Sequence, residues 1–112
     1  AVETKRITSH HLLMEAERSR QSHQIYEPIW NELMQHGFSN ITQRDTMSSF
    51  YARCCQHDGQ FDAGIAVLES RIAELEQLLQ DETLTPDNRF YCEENIRMHN
   101  EMRDELKAGI RD

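Results

Sequence analysis

The stretch from Phe61 to Leu79 sets the tightest limit on what this chain can become. Phe61, Ile65, Leu68, Ile72, Leu75 and Leu79 step by 4, 3, 4, 3 and 4, the beat that places apolar side chains along one seam of a helix. Asp62, Glu69, Arg71, Glu74, Glu76 and Gln80 occupy the opposite side. Ordering such a helix costs more backbone entropy than its own contacts return, so the seam must be covered. Two arrangements meet that demand: a core helix inside a bundle, or a seam that pairs two copies of the chain.

Helical spacing continues on both sides of the seam. Leu12, Ala16, Ser19, His23, Tyr26, Trp30 and Leu33 step by 4 and 3, behind a cap at Thr8 or Ser9 and an N-terminal arm of residues 1–7. Pro28 lies inside this run and predicts a kink or break at 26–28, because it lacks a backbone donor and disfavours helical geometry at Glu27. Gly37 can take the left-handed conformation that ends a helix, with Phe38 folding back on it. Residues 39–42 read as a connector, and Thr42 with Asp45 resembles a capping box. Met47, Phe50 or Tyr51, and Cys54 mark a short helix closed by the Asp58-Gly59 turn.

The central helix is expected to stop around Gln80 to Glu82. Thr85-Pro86-Asp87 then starts another, with Thr85 as cap, Pro86 in the first helical position and Asp87 at the positive end of the dipole. Its stripe is Tyr91, Asn95, Met98, Met102, Leu106 and Gly109, flanked by Cys92, Ile96, His99 and Ile110. No strand-like alternation appears. The chain reads as one all-α domain over residues 1–112, a small bundle of four to five helices with a long amphipathic antiparallel helix pair, and it is expected to be dimeric.

Composition favours association. Apolar residues make up 38% of the 112 and mean hydropathy is −0.78, thin provision for a core that stands alone. Charge is uneven: 7 acids face 6 bases through residue 59, and 13 face 6 after it. That second half, at −7, repels phosphate backbones and argues against direct nucleic-acid binding. Three cysteines, two of them adjacent, give no even disulfide framework and point to a reducing cytoplasm. No apolar run approaches the roughly 18 residues a membrane span needs. The sequence opens at Ala1 without methionine, so its start reads as trimmed.

Chemistry finds little support. His11 and Glu15 share a helical face, but no metal-binding motif accompanies them. His23 and His99 interrupt apolar stripes, where a hydrogen-bonded structural histidine is the expectation. Cys54 and Cys55 lie near His57 at a helix C-terminus, whose dipole disfavours the thiolate. The four glycines form no phosphate-cradling loop. No catalytic residue, metal ligand or cofactor site is expected. Tyr26, Trp30, Phe38, Phe50 and Tyr51 crowd one stretch, and they read either as core packing or as an anchor patch for a partner protein.

Tyr91-x-Glu93-x-x-Ile96-x-Met98-His99-x-x-Met102 resembles the C-terminal helix of the TraM family of small helical quorum-sensing anti-activators. Ser22-His23 followed by Asn31-Glu32-Leu33-Met34 resembles that family's earlier helix, and the QslA type of anti-activator looks like the same functional class. The segment between the two matches is longer here and carries the heptad helix. The resemblance implies a cytoplasmic homodimer that binds a LuxR-type transcription factor and blocks its dimerisation or DNA binding, with no catalysis and no cofactor. The rival expectation is a dimerisation or effector-sensing domain of a larger transcription regulator.

Overall fold

The computed structural model describes residues 2–38 and 40–111, with side chains from Thr8 onward. Five helices follow in order: α1 (Val2–Arg18), α2 (His23–His36), α3 (Ile41–Asp58), α4 (Phe61–Leu78) and α5 (Pro86–Lys107). No strand occurs among the described residues.

The break in the first half lies earlier than Pro28 suggests. Residue 1 falls outside the described residues, but 2–7 continue α1 instead of forming an arm, because no glycine or proline interrupts Val2–Arg18. Thr8 and Ser9 are therefore interior. The helix ends at Arg18, and the turn after it is closed by Arg20, which takes a left-handed φ of 53° while Gln21 N–H donates back to Ala16 O at 3.0 Å. Ser22 then precedes α2 without a capping bond of its own. Asp58, at the far end of α3, accepts from His23 N at 2.8 Å in its stead. Pro28 sits inside a continuous α2, on its exposed side, where water can serve the carbonyl that proline leaves without a donor.

Other boundaries follow local chemistry. Gly37, at φ 81°, ends α2 with its N–H on Leu33 O. The expected cap at Thr42 is replaced by Asn40, whose side chain accepts from Gln43 N at 2.9 Å; of the connector, Ser39 lies outside the described residues. Gly59, at φ 73°, closes α3. Thr85 caps α5 by accepting from Asn88 N, with Pro86 opening the helix.

The heptad seam closes within the chain. Leu68, Ile72 and Leu75 are buried, and Phe61, Ile65 and Leu79 are half-buried. Helices α4 and α5 run antiparallel: Arg89 reaches Leu79 O at one end, and Lys107 pairs with Glu69 towards the other. The seam is thus a core feature, not a free surface for a second copy. The molecule is instead organised around α3, which has the weaker apolar pattern. One cluster joins Leu13 and Ala16 of α1, Tyr26, Trp30 and Leu33 of α2, and Met47, Tyr51, Cys54 and Cys55 of α3. A second joins Ala52 of α3 to Leu68, Met102 and Leu106. Gly64 marks the tightest crossing, where a Cβ would lie 2.9 Å from Leu106 Cδ1 and 3.0 Å from Cys55 Cβ.

Candidate functional site: a bridged groove between α3 and α5

Helices α3 and α5 are tied together at two places and leave a groove between them. Near their N-terminal ends, Tyr91 donates its hydroxyl proton to Asp45 Oδ2 at 2.9 Å. Near their C-terminal ends, Arg53 Nη1 and Gln56 Nε2 both donate to Glu105 Oε2 at 3.1 Å. The space between has a volume of about 400 Å³, within the range of small-molecule sites. Its α3 wall is Thr42, Asp45, Thr46, Ser49, Phe50 and Arg53; its α5 wall is Tyr91, Asn95, Met98 and Met102; and Glu17 of α1 completes it. Each wall is one helical face: the α5 residues step by 4, 3 and 4, and the α3 residues fall in two adjacent rows spaced by 3 or 4.

Asp45 is the groove's electrostatic centre. Only 3% exposed, it accepts from Arg71 Nε at 2.6 Å and from Arg71 Nη2 at 3.3 Å, a two-pronged pair of the strongest kind. Burial works against the Arg71 charge, but the hydrogen bonds and charge of Asp45 outweigh it, so Arg71 is held more firmly protonated than a free arginine. Glu74 Oε1 accepts from Arg71 at 3.3 Å and from Arg44 at 3.1 Å. Arg44 in turn lies over the rings of Trp30, at 5.5 Å, and Phe38, at 5.2 Å, and donates to Ser48. Burial also raises the Tyr91 hydroxyl above its usual value, which suits it to donate.

His99 stands beside this network. It is 1% exposed, and its Nδ1 lies 2.8 Å from Asn95 O. A carbonyl only accepts, so Nδ1 carries the hydrogen and Nε2 is a bare acceptor. That Nε2 has no hydrogen-bond partner and lies 4.0 Å from Asp45 Oδ1. Burial lowers the His99 pKa, against smaller opposing contributions from the Asn95 carbonyl and Asp45. The ring is neutral at neutral pH.

The sequence-predicted site residues divide. Of the family-like motif, Tyr91, Met98 and Met102 line the groove, His99 is buried behind it, Glu93 is exposed and Ile96 half-buried. Of the aromatic set, Tyr26, Trp30 and Tyr51 are buried in the first cluster and are no exposed anchor. Trp30 and Tyr51 pack at 4.7 Å, and Tyr26 meets Tyr51 edge-on at 5.6 Å. The anchor reading fails for these three because α2 and α3 bury the rings against one another. Phe38 and Phe50 are half-buried against the same cluster, and Phe50 alone reaches the groove. His23 bonds to Glu27 at 3.0 Å, and Glu15 is taken by Arg18, leaving His11 exposed. Cys54 and Cys55 are both pushed up to about 12, chiefly by burial, so neither is a ready nucleophile.

Asp45, Arg71, Arg44 and Glu74 carry the network, and reading the sequence as apolar stripes misses them. Arg71, assigned there to the polar side of the central helix, is buried. Its position offers a signal: it lies three residues after Leu68 and four before Leu75, on the flank of the seam.

Among the described residues no three histidine, cysteine or carboxylate side chains come together as a metal site, and no helix is long and apolar enough to cross a membrane. Compared with known proteins, the chain matches no family model, no curated protein and no solved structure.

Proposed function

We propose that this chain is a stoichiometric anti-activator that binds a LuxR-type quorum-sensing transcription factor in the cytoplasm and blocks its dimerisation or DNA binding. It acts as a homodimer, by occupancy alone, without a catalytic step or a cofactor. The observation that carries this reading is an apolar face on the α1–α2 pair. Leu12 and Ile25 are each 49% exposed and, with the half-buried Ile29, line a shallow cleft of about 210 Å³. Neighbouring large apolar side chains left in water are what a protein-docking face presents. The acidic second half adds a long-range attraction for the basic surface with which a transcription factor meets DNA.

The reading is tested by adding the purified chain to a LuxR-type regulator already bound to its promoter DNA. Loss of the DNA complex near a one-to-one ratio is expected. The double variant Leu12→Asp, Ile25→Asp, with helix content preserved, is expected to weaken the effect by about 30-fold or more, in line with loss of a hot spot of about 2 kcal/mol. A DNA complex that survives excess wild-type chain, or a double variant of full potency, would remove the proposal. The second reading, an effector-sensing domain of a larger regulator, draws on the α3–α5 groove.

A further inference from the structure

We infer that the groove between α3 and α5 is a binding site for a small uncharged molecule with an apolar body and a hydrogen-bond donor at one end. The inference rests on the groove alone and stands or falls independently of the anti-activator reading.

Shape argues first. The Tyr91–Asp45 bond and the Arg53–Glu105 pair, at 2.9 and 3.1 Å, close the groove at both ends. A docked helix or extended strand needs a trough that runs on past its contact, whereas a groove of about 400 Å³, open to solvent along its length but bridged at each end, suits a compact molecule.

Polarity argues next. Phe50, Met98 and Met102 give the cavity apolar walls, and methionine side chains adapt to irregular ligand shapes. The charges on the groove wall have partners: Asp45 is matched by Arg71, Arg53 by Glu105, and Glu17 lies 3.3 Å from His57 Nε2. A charged ligand would disturb these pairs, so a neutral one fits better.

The donor requirement comes from the end near Asp45. A carboxylate offers about four acceptor sites, and three are used here, two by Arg71 and one by Tyr91. His99 Nε2, 4.0 Å from Oδ1 of the same carboxylate and without a partner, is buried behind the wall and supplies that carboxylate with no donor. Asp45 is therefore an acceptor with a site to spare on the groove wall, and an N–H or O–H group on the ligand is what complements it.

N-phenyl-1-naphthylamine is a suitable probe: neutral, largely apolar, with one N–H, and fluorescent when it leaves water. Saturable one-to-one binding is expected, with a dissociation constant on the order of 10 µM for a molecule of that size. Its N-methyl analogue, which lacks the donor, is expected to bind at least about 10-fold more weakly. Location is read without mutation from the methyl resonances of the five methionines: Met98 and Met102 should shift on binding, while the exposed Met14 and Met34 of α1 and α2 should not. Thr46→Trp, at an exposed position on the groove wall, is expected to abolish the shifts while leaving the wild-type spectrum elsewhere. Absence of saturable binding, equal binding of the N-methyl analogue, or shifts at Met14 and Met34 instead would each overturn the inference.

Discussion

His99 shows how one buried ring couples the molecule to pH. Burial lowers its pKa below the usual 6.5, so the folded chain keeps the ring neutral where the unfolded chain has begun to protonate it. The stability this provides is complete above about 6.5 and declines as pH falls below that value. The groups that face the ring from the packed helices, Asp45 and Arg44 on α3 and Arg71 on α4, act in opposite senses and leave desolvation dominant. Substituting His99→Gln should remove this contribution. The stability difference between wild type and variant, measured by urea unfolding at pH 7, 6 and 5, is expected to shift in the variant's favour as the solution is acidified. A difference that stays constant across that range would show that the ring does not stay neutral in the fold.

Between elements, the Asp45–Arg71 pair is the principal polar tie. It joins α3 to α4 and, through Tyr91, to α5. Asp45→Ala leaves the Arg71 guanidinium buried without its carboxylate and is expected to cost about 3–5 kcal/mol. The double variant Asp45→Leu, Arg71→Met should recover much of that loss, because it removes both charges and fills their space. Urea midpoints for the wild type and both variants decide the matter; equal loss in single and double variants would show that the pair's partners, not its charges, carry the effect. The same tie explains what was legible beforehand. Apolar stripes exposed α4 and α5 and their antiparallel pairing, and the Thr85-Pro86 start was readable because caps are local. The central role of α3 was not readable, because Arg44, Asp45, Ser48 and Gln56 are buried and a hydropathy pattern counts them as surface. The groove was half visible: its α5 wall is the very stripe of Tyr91, Asn95, Met98 and Met102, but its α3 wall is mostly polar. The aromatic cluster could not be assigned to core or surface until the helix that covers it was placed.

As a whole the molecule is a thin slab, 41 × 40 × 18 Å, little thicker than one helix laid on another. A slab has much face for its volume, and large apolar residues remain on it, Phe90 the most open among the described residues at 65% exposure. Self-association is the expected remedy, and sedimentation equilibrium at micromolar concentration should report about twice the 13.2 kDa chain mass. Phe90→Asp should return the chain to 13.2 kDa if α5 provides the contact; a wild-type chain already at that mass would remove the homodimer from the proposed mechanism. The central position of α3 also bears on how the chain is made. During synthesis Tyr26 and Trp30 leave the ribosome before the helix that covers them, so α1 and α2 remain unfinished until the residues near Gly59 have emerged. A nascent chain halted before α3 would display its stickiest residues with nothing to shield them, which makes that interval the one in which a chaperone has most to hold.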